Sequence, residues 1–251
     1  MKVNSLKDKL KKSSVIGTWC SLSSSNVVDA IGKTSLDFII IDMEHGSMSF
    51  ETAENMVRAA EANNLFPIIR TPNNDNQILL KSLETGVGNV LVPHVTRSDI
   101  AKNIVESCKY FPEGKRGLSP YTRVHNFRDA SLKKSTKLEN KNNLVGVLVE
   151  GSEGLKNLEE ISKVKGIDLI YLGLFDICQS LGMPGDLSNS KVLKEIKRCK
   201  SIISSNGKYA GCMAKDLSYL KKLKKLNFDF IAYLNDAGAL VKHFDSIMEE
   251  I

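Results

Sequence analysis

The chain has 251 residues, 42% of them hydrophobic and 25% charged, which is the balance of an ordinary folded protein with a sizeable core. Its formal charge of +6 is spread along the whole length among 29 acidic residues, so no basic arm for nucleic acid stands out, and the excess reads as solvated surface with some pull on small anions. Five cysteines in an odd, irregular arrangement exclude a disulfide framework and a structural zinc site, and with no signal-peptide pattern and no bilayer-length apolar run they suit a cytoplasmic protein that has no membrane partner.

In chain order, predicted strands at 15–22, 37–42, 66–70, 89–95, 144–150, 168–173, 208–213 and 228–234 are short, apolar and rich in β-branched residues. Between them, helical periodicity runs through 51–63, 75–84, 98–109, 153–163, 190–205, 216–226 and 236–250. Alternation of this kind predicts βαβ units and a parallel sheet. Eight such repeats in about 250 residues is the usual size of a (β/α)8 TIM barrel, here a single domain over 1–251. An open doubly wound sheet is the structural rival, but no G-x-G-x-x-G follows the first strand.

A barrel brings its strand ends together, and the C-terminal ends of these strands carry the ionisable groups. They are Asp42, Glu44 and His45 after the second strand, Arg70 closing the third, His94 in the fourth, Glu150 closing the fifth and Asp176 beyond the sixth. The strand starts are mostly apolar, Gly or Asn, with Asp37, Asp168 and Lys208 as exceptions.

Glu150 and Asp176 offer two hard oxygen donors on neighbouring strands, as a catalytic Mg²⁺ or Mn²⁺ site requires. The alternative is that each carboxylate caps the helix after its strand. Arg70 offers forked donors to a carboxylate or a developing enolate oxygen, or else a salt bridge at the rim. His45 can exchange a proton near neutral pH, with Asp42 or Glu44 orienting it. His94 reads as a hydrogen-bonded core or supporting residue, and His125 and His243 read as surface residues. Trp19 reads as core filler or, at the rim, as an apolar wall. A Schiff-base mechanism would need a desolvated lysine, and Lys215, the nearest to a strand end, reads as surface.

The segments GTWCSLSSSNVVDAI, LDFIIIDMEHG, PIIRTPNND, LETGVGNVLVPHV, FPEGKRGLSP and VKGIDLIYLGLFDICQSLGMPG resemble, in order and spacing, the HpcH/HpaI family of metal-dependent pyruvate aldolases, over about residues 15–240. That resemblance implies reversible aldol chemistry on 4-hydroxy-2-oxo acids, giving pyruvate and an aldehyde. It implies a divalent cation (Mg²⁺ or Mn²⁺, with Co²⁺ a further candidate) held by Glu150 and Asp176, and Arg70 on the enolate oxygen. It also implies His45 as proton acceptor with Asp42 and Glu44 ordering it, substrate contacts at Trp19, Gly173 and Phe175, and a hexamer built as a trimer of dimers in which Glu84 reaches a neighbour's His45. The long segment 110–143, with Arg116 and Arg123, is then expected to reach a neighbouring subunit. Departures fall near the site: Leu174 and Phe175 follow Gly173 where the family has Pro and Ala, Leu148 stands for a Gln, Gly151 for a Thr, and Lys215 follows strand seven. They suggest an unusual aldehyde or, as the alternative, a barrel that binds or regulates without catalysis.

Overall fold

The computed structural model describes residues 5–251. Eight parallel strands close into a barrel in the order β1 to β8, with β8 paired back on β1. They are β1 Val15–Cys20, β2 Phe38–Asp42, β3 Phe66–Arg70, β4 Asn89–Val92, β5 Leu144–Val149, β6 Leu169–Leu172, β7 Tyr209–Ala214 and β8 Phe230–Asn235. The β4 strand stops short of the expected 95 because Pro93 has no N–H for the ladder, and His94 turns left-handed with φ +58°.

The outer layer follows from helical periodicity and local caps. Helix α3 (Phe50–Ala62) buries Ala53, Met56, Val57 and Ala60 at helical spacing, and its N-cap Ser49 accepts from the N–H of Thr52. Helices α4 (Asn76–Glu84) and α5 (Ser98–Cys108) come next; after β5, α7 (Gly151–Lys156) and α8 (Leu158–Ser162) divide the stretch expected as one helix. Helices α10 (Ser190–Ser205), α11 (Leu217–Lys225) and α12 (Asp236–Glu250) lie where the periodicity places them. Four further helices carry little periodic signal: α1 (Leu6–Leu10), α2 (Ser25–Ile31), α6 (Leu132–Asn142) and α9 (Leu174–Ser180).

Two apolar clusters result, one between strands and helices and one inside the barrel. Inside, Phe38 stacks on Phe230 at 3.9 Å between ring centroids, and Leu6 and Leu10 of α1 join them to close the end where the strands start. The charged residues at the strand starts fasten that closure: Asp168 pairs with Lys7 at 2.7 Å and Asp37 with Lys9, and each carboxylate also accepts a strand N–H. Lys208 donates to the carbonyls of Val164 and Ile167 at 3.0 and 2.9 Å. No helix among the described residues is long and apolar enough to cross a membrane.

Two histidine expectations are corrected. His125 is buried, its ring between the Tyr110 hydroxyl at 3.1 Å and the Ser135 hydroxyl at 2.9 Å, because the segment 110–143 folds back on its own chain. His94 is neither in a strand nor in the core, its side chain 62% exposed, so of the two roles expected for it only the supporting one is left.

Candidate active site

The two-residue period of the strands decides which side chains reach the barrel axis. Phe38, Ile40, Ile68, Leu144 and Leu148 belong to the interior cluster. The same parity carries Asp42, Arg70 and Glu150 inward where their strands end. Register then sets the neighbours: Asp42 lies beside Arg70, and Val149 pairs with Leu172, which puts Glu150 beside Gly173. These residues, with His45 and Asp176, line one cavity of about 490 Å³.

Arg70 is buried and held on several sides. Its Nε donates to Asp42 Oδ1 at 2.8 Å, its Nη2 bonds Asp42 Oδ2, and its Nη1 lies 3.0 Å from Glu44 Oε2 without the alignment of a hydrogen bond. The guanidinium also sits 4.5 Å over the Trp19 ring, whose Nε1 donates to the buried Tyr171 hydroxyl at 3.0 Å. Trp19 is thus both core and cavity wall.

Asp42 and Glu44 do not order His45 through its imidazole, as the sequence suggested. Asp42 Oδ1 accepts the backbone N–H groups of Glu44 and His45, both at 3.1 Å, and so shapes the turn, while Glu44 is drawn to Arg70 and to His94 Nε2 at 2.8 Å. The His45 ring stands exposed at the cavity, with no hydrogen bond among the described residues.

Glu150 occupies the N-cap position of α7, yet its side chain makes no capping bond there. It turns instead to His94, whose Nδ1 is 2.9 Å from Oε1. The chain can leave Glu150 this way because Gly151 takes φ +72°, a conformation that strains other residues. Gly173, just past the neighbouring β6, leaves room for that side chain, since a Cβ there would sit 3.0 Å from both Cβ and Oε2 of Glu150.

Burial pushes Glu150 up to about 7; His94 pulls against that, while the charges of Asp176 and Glu44 add to it. Neither Glu150 Oε2 nor Asp176, which lies in the first turn of α9, takes a hydrogen bond among the described residues. Two carboxylates with unbonded oxygens on one cavity are a hard-oxygen donor set that fits Mg²⁺ or Mn²⁺. No three His, Cys, Asp or Glu residues among those described form a closed cage, so water or substrate would complete the ion's shell.

Glu84 is not in this cavity; at the end of α4 it accepts from the fully buried Arg116 at 3.2 Å. Phe175 lines the mouth half-exposed, and Lys215 pairs with Asp216 outside. Walls not singled out in the sequence include Tyr171, Met213 and Asn235. The signal for the first two was the same strand parity, 169/171/173 and 209/211/213.

The model of the HpcH/HpaI aldolase/citrate lyase family matches residues 15–231. A pyruvate aldolase of Rhizobium etli is 28% identical, covering 98% of this chain and 96% of its own. A 5-keto-4-deoxy-D-glucarate aldolase of Shigella boydii is 29% identical over 89% of this chain and 86% of its own. Among solved structures, the citrate synthase SbnG superposes with a TM-score of 0.89 at 26% identity, covering 98% of this chain and 96% of that one. The chain belongs to the HpcH/HpaI aldolase/citrate lyase family.

Proposed function

We propose that the protein is a divalent-metal-dependent aldolase that reversibly cleaves a 4-hydroxy-2-oxo acid into pyruvate and an aldehyde. The observation that carries this reading is the shared cavity: Glu150, with its Oε2 unbonded, and Asp176 beside a buried, oriented Arg70 and an exposed His45. When bound by Glu150 and Asp176, the cation supplies Lewis-acid polarisation of the 2-oxo acid.

The other steps belong to the side chains. An arginine has five N–H donors, and three of the Arg70 nitrogens already face Asp42 or Glu44, so the remaining hydrogens are left for a substrate oxygen that gains charge. His45 takes the proton of the C4 hydroxyl; the C3–C4 pair passes to the enolate of pyruvate as the C4 oxygen becomes the aldehyde carbonyl. Return of a proton to C3 completes cleavage. Trp19 walls the site, and the Gly173 to Phe175 backbone receives the substrate carboxylate.

We place this chemistry in a homo-oligomer, a trimer of dimers, with Glu84 approaching a neighbour's His45. Support comes from α12, exposed throughout 239–250 with Leu240, Val241, Phe244 and Met248 uncovered. Five free, buried cysteines support a reducing, cytoplasmic setting.

The test is exchange of the pyruvate methyl protons in D₂O with Mg²⁺, followed by NMR. Wild type should exchange them, and Glu150→Gln and Arg70→Ala should each lose the exchange by at least about tenfold. Equal rates in all three would end this mechanism. The likeness to a citrate synthase carries a second reading, in which the 2-oxo acid is the electrophile rather than the enolate donor. It predicts 2-oxo acid binding with no methyl exchange.

A further inference from the structure

His94 lies outside the cavity lining, yet it touches the group on which the metal reading depends. Its ring is placed by three contacts. Nδ1 is 2.9 Å from Glu150 Oε1, Nε2 is 2.8 Å from Glu44 Oε1, and the His94 backbone N–H also reaches Glu150 Oε1 at 3.3 Å. The left-handed turn at φ +58° is what brings ring and backbone to the same carboxylate oxygen. Such a conformation is uncommon for residues with a Cβ, and histidine is among the few that adopt it more readily.

The consequence is a division of labour within one carboxylate. Oε1 of Glu150 is occupied twice by His94, whereas Oε2 lies over Gly173 in the cavity that Asp176 shares. On the other side of the ring, Glu44 continues the chain of contacts to Arg70 and thence to Asp42. Five side chains of alternating charge character therefore run from one half of the site to the other.

We propose that His94 is a positioning residue: by holding Oε1 it makes Glu150 present Oε2 alone toward Asp176, and through Glu44 it keeps Arg70 in register with that carboxylate. Partners of this kind, bound to a metal ligand rather than to the metal, set ligand orientation, and their loss typically weakens metal affinity by about 10- to 100-fold. The inference builds on the assignment of Glu150 and Asp176 to a cation, so its test separates the two.

The backbone dictates the variants. His94→Gly removes the ring and accepts φ +58° without strain; His94→Asn also accepts it and puts an amide N–H where Nδ1 was, facing Glu150; His94→Gln puts its amide where Nε2 was, facing Glu44. Mn²⁺ affinity of the full chain is measured by electron paramagnetic resonance, with thermal melting of the metal-free proteins alongside. The expected result is an Mn²⁺ Kd about tenfold weaker in His94→Gly and His94→Gln, and restored to within about twofold of wild type in His94→Asn, with comparable melting of wild type, His94→Gly and His94→Asn. Unchanged or tighter binding by His94→Gly, with Glu150→Gln binding none, overturns the role of His94 alone. Absence of Mn²⁺ binding by wild type overturns the metal assignment and this inference together.

Discussion

Arg70 and Asp42 form the most enclosed ion pair of the site, with side chains 10% and 7% exposed. Removing one partner of such a pair leaves the other charged and buried, which costs roughly 3–5 kcal/mol, far more than an exposed pair would. Asp42 also holds the N–H groups of Glu44 and His45, so its loss frees the turn that carries the proposed base. Asp42→Ala should therefore lower urea-derived stability by about 3–5 kcal/mol, and the double variant with Arg70→Ala should lose clearly less than the sum of the two singles. Strictly additive losses would show that the pair is not the coupled unit described. Parity made this pair visible in the sequence, because 38/40/42 and 66/68/70 point the same way once the strands are placed. His94 was not visible in that manner: its contacts depend on a left-handed turn after Pro93, and strand periodicity says nothing about such a turn.

Among the elements, the segment between α5 and β5 differs most from expectation. Its residues are polar and its helix α6 lacks an apolar stripe, so periodicity predicts a loop there. Specific polar contacts order it instead. Asn140 bonds both backbone groups of Tyr110 at 2.8 Å, Arg116 stacks over the Tyr110 ring at 4.5 Å, and Arg123 pairs with Glu61 and donates to the Thr85 carbonyl at 3.0 Å. His125 closes the network, and burial lowers its pKa from the ordinary 6.5. The folded chain thus keeps this ring neutral at a pH where the unfolded chain protonates it. The stabilisation is fully present above about pH 6.5 and is lost as pH falls through that value toward the folded pKa. Wild type should accordingly lose more urea resistance than His125→Gln between about pH 7.5 and 5.5. Identical losses would remove His125 as the source. The one-and-a-half turns of α1 give no helical signal for a related reason: two leucines among lysines make little pattern, and only the open end of the barrel makes Leu6 and Leu10 core residues.

At the scale of the molecule, six of the seven expected helical stretches bury an apolar face on the barrel, and α12 beyond its first turn does not. Its start is anchored, since Asp236 accepts from the N–H groups of Ser21 and Leu22 at 2.9 and 3.0 Å, but the apolar side chains beyond remain in solvent. Exposed apolar area of this kind is relieved when another chain covers it. If the proposed oligomer forms through this helix, Phe244→Glu should reduce the mass measured by light scattering without unfolding the barrel. A variant that keeps the wild-type mass would place the interface elsewhere. Periodicity located α12 correctly yet could not say which surface its stripe meets, because one chain's pattern does not distinguish its own core from a neighbour's.

The most direct measurement is anomalous diffraction from crystals soaked with Mn²⁺ and pyruvate. The account predicts a single strong anomalous peak in the barrel mouth, bounded by carboxylate oxygens of Glu150 and Asp176, with pyruvate beside it and within reach of Arg70. An empty mouth, or a manganese ion bound away from both carboxylates, in crystals of a protein that still exchanges pyruvate methyl protons would contradict it.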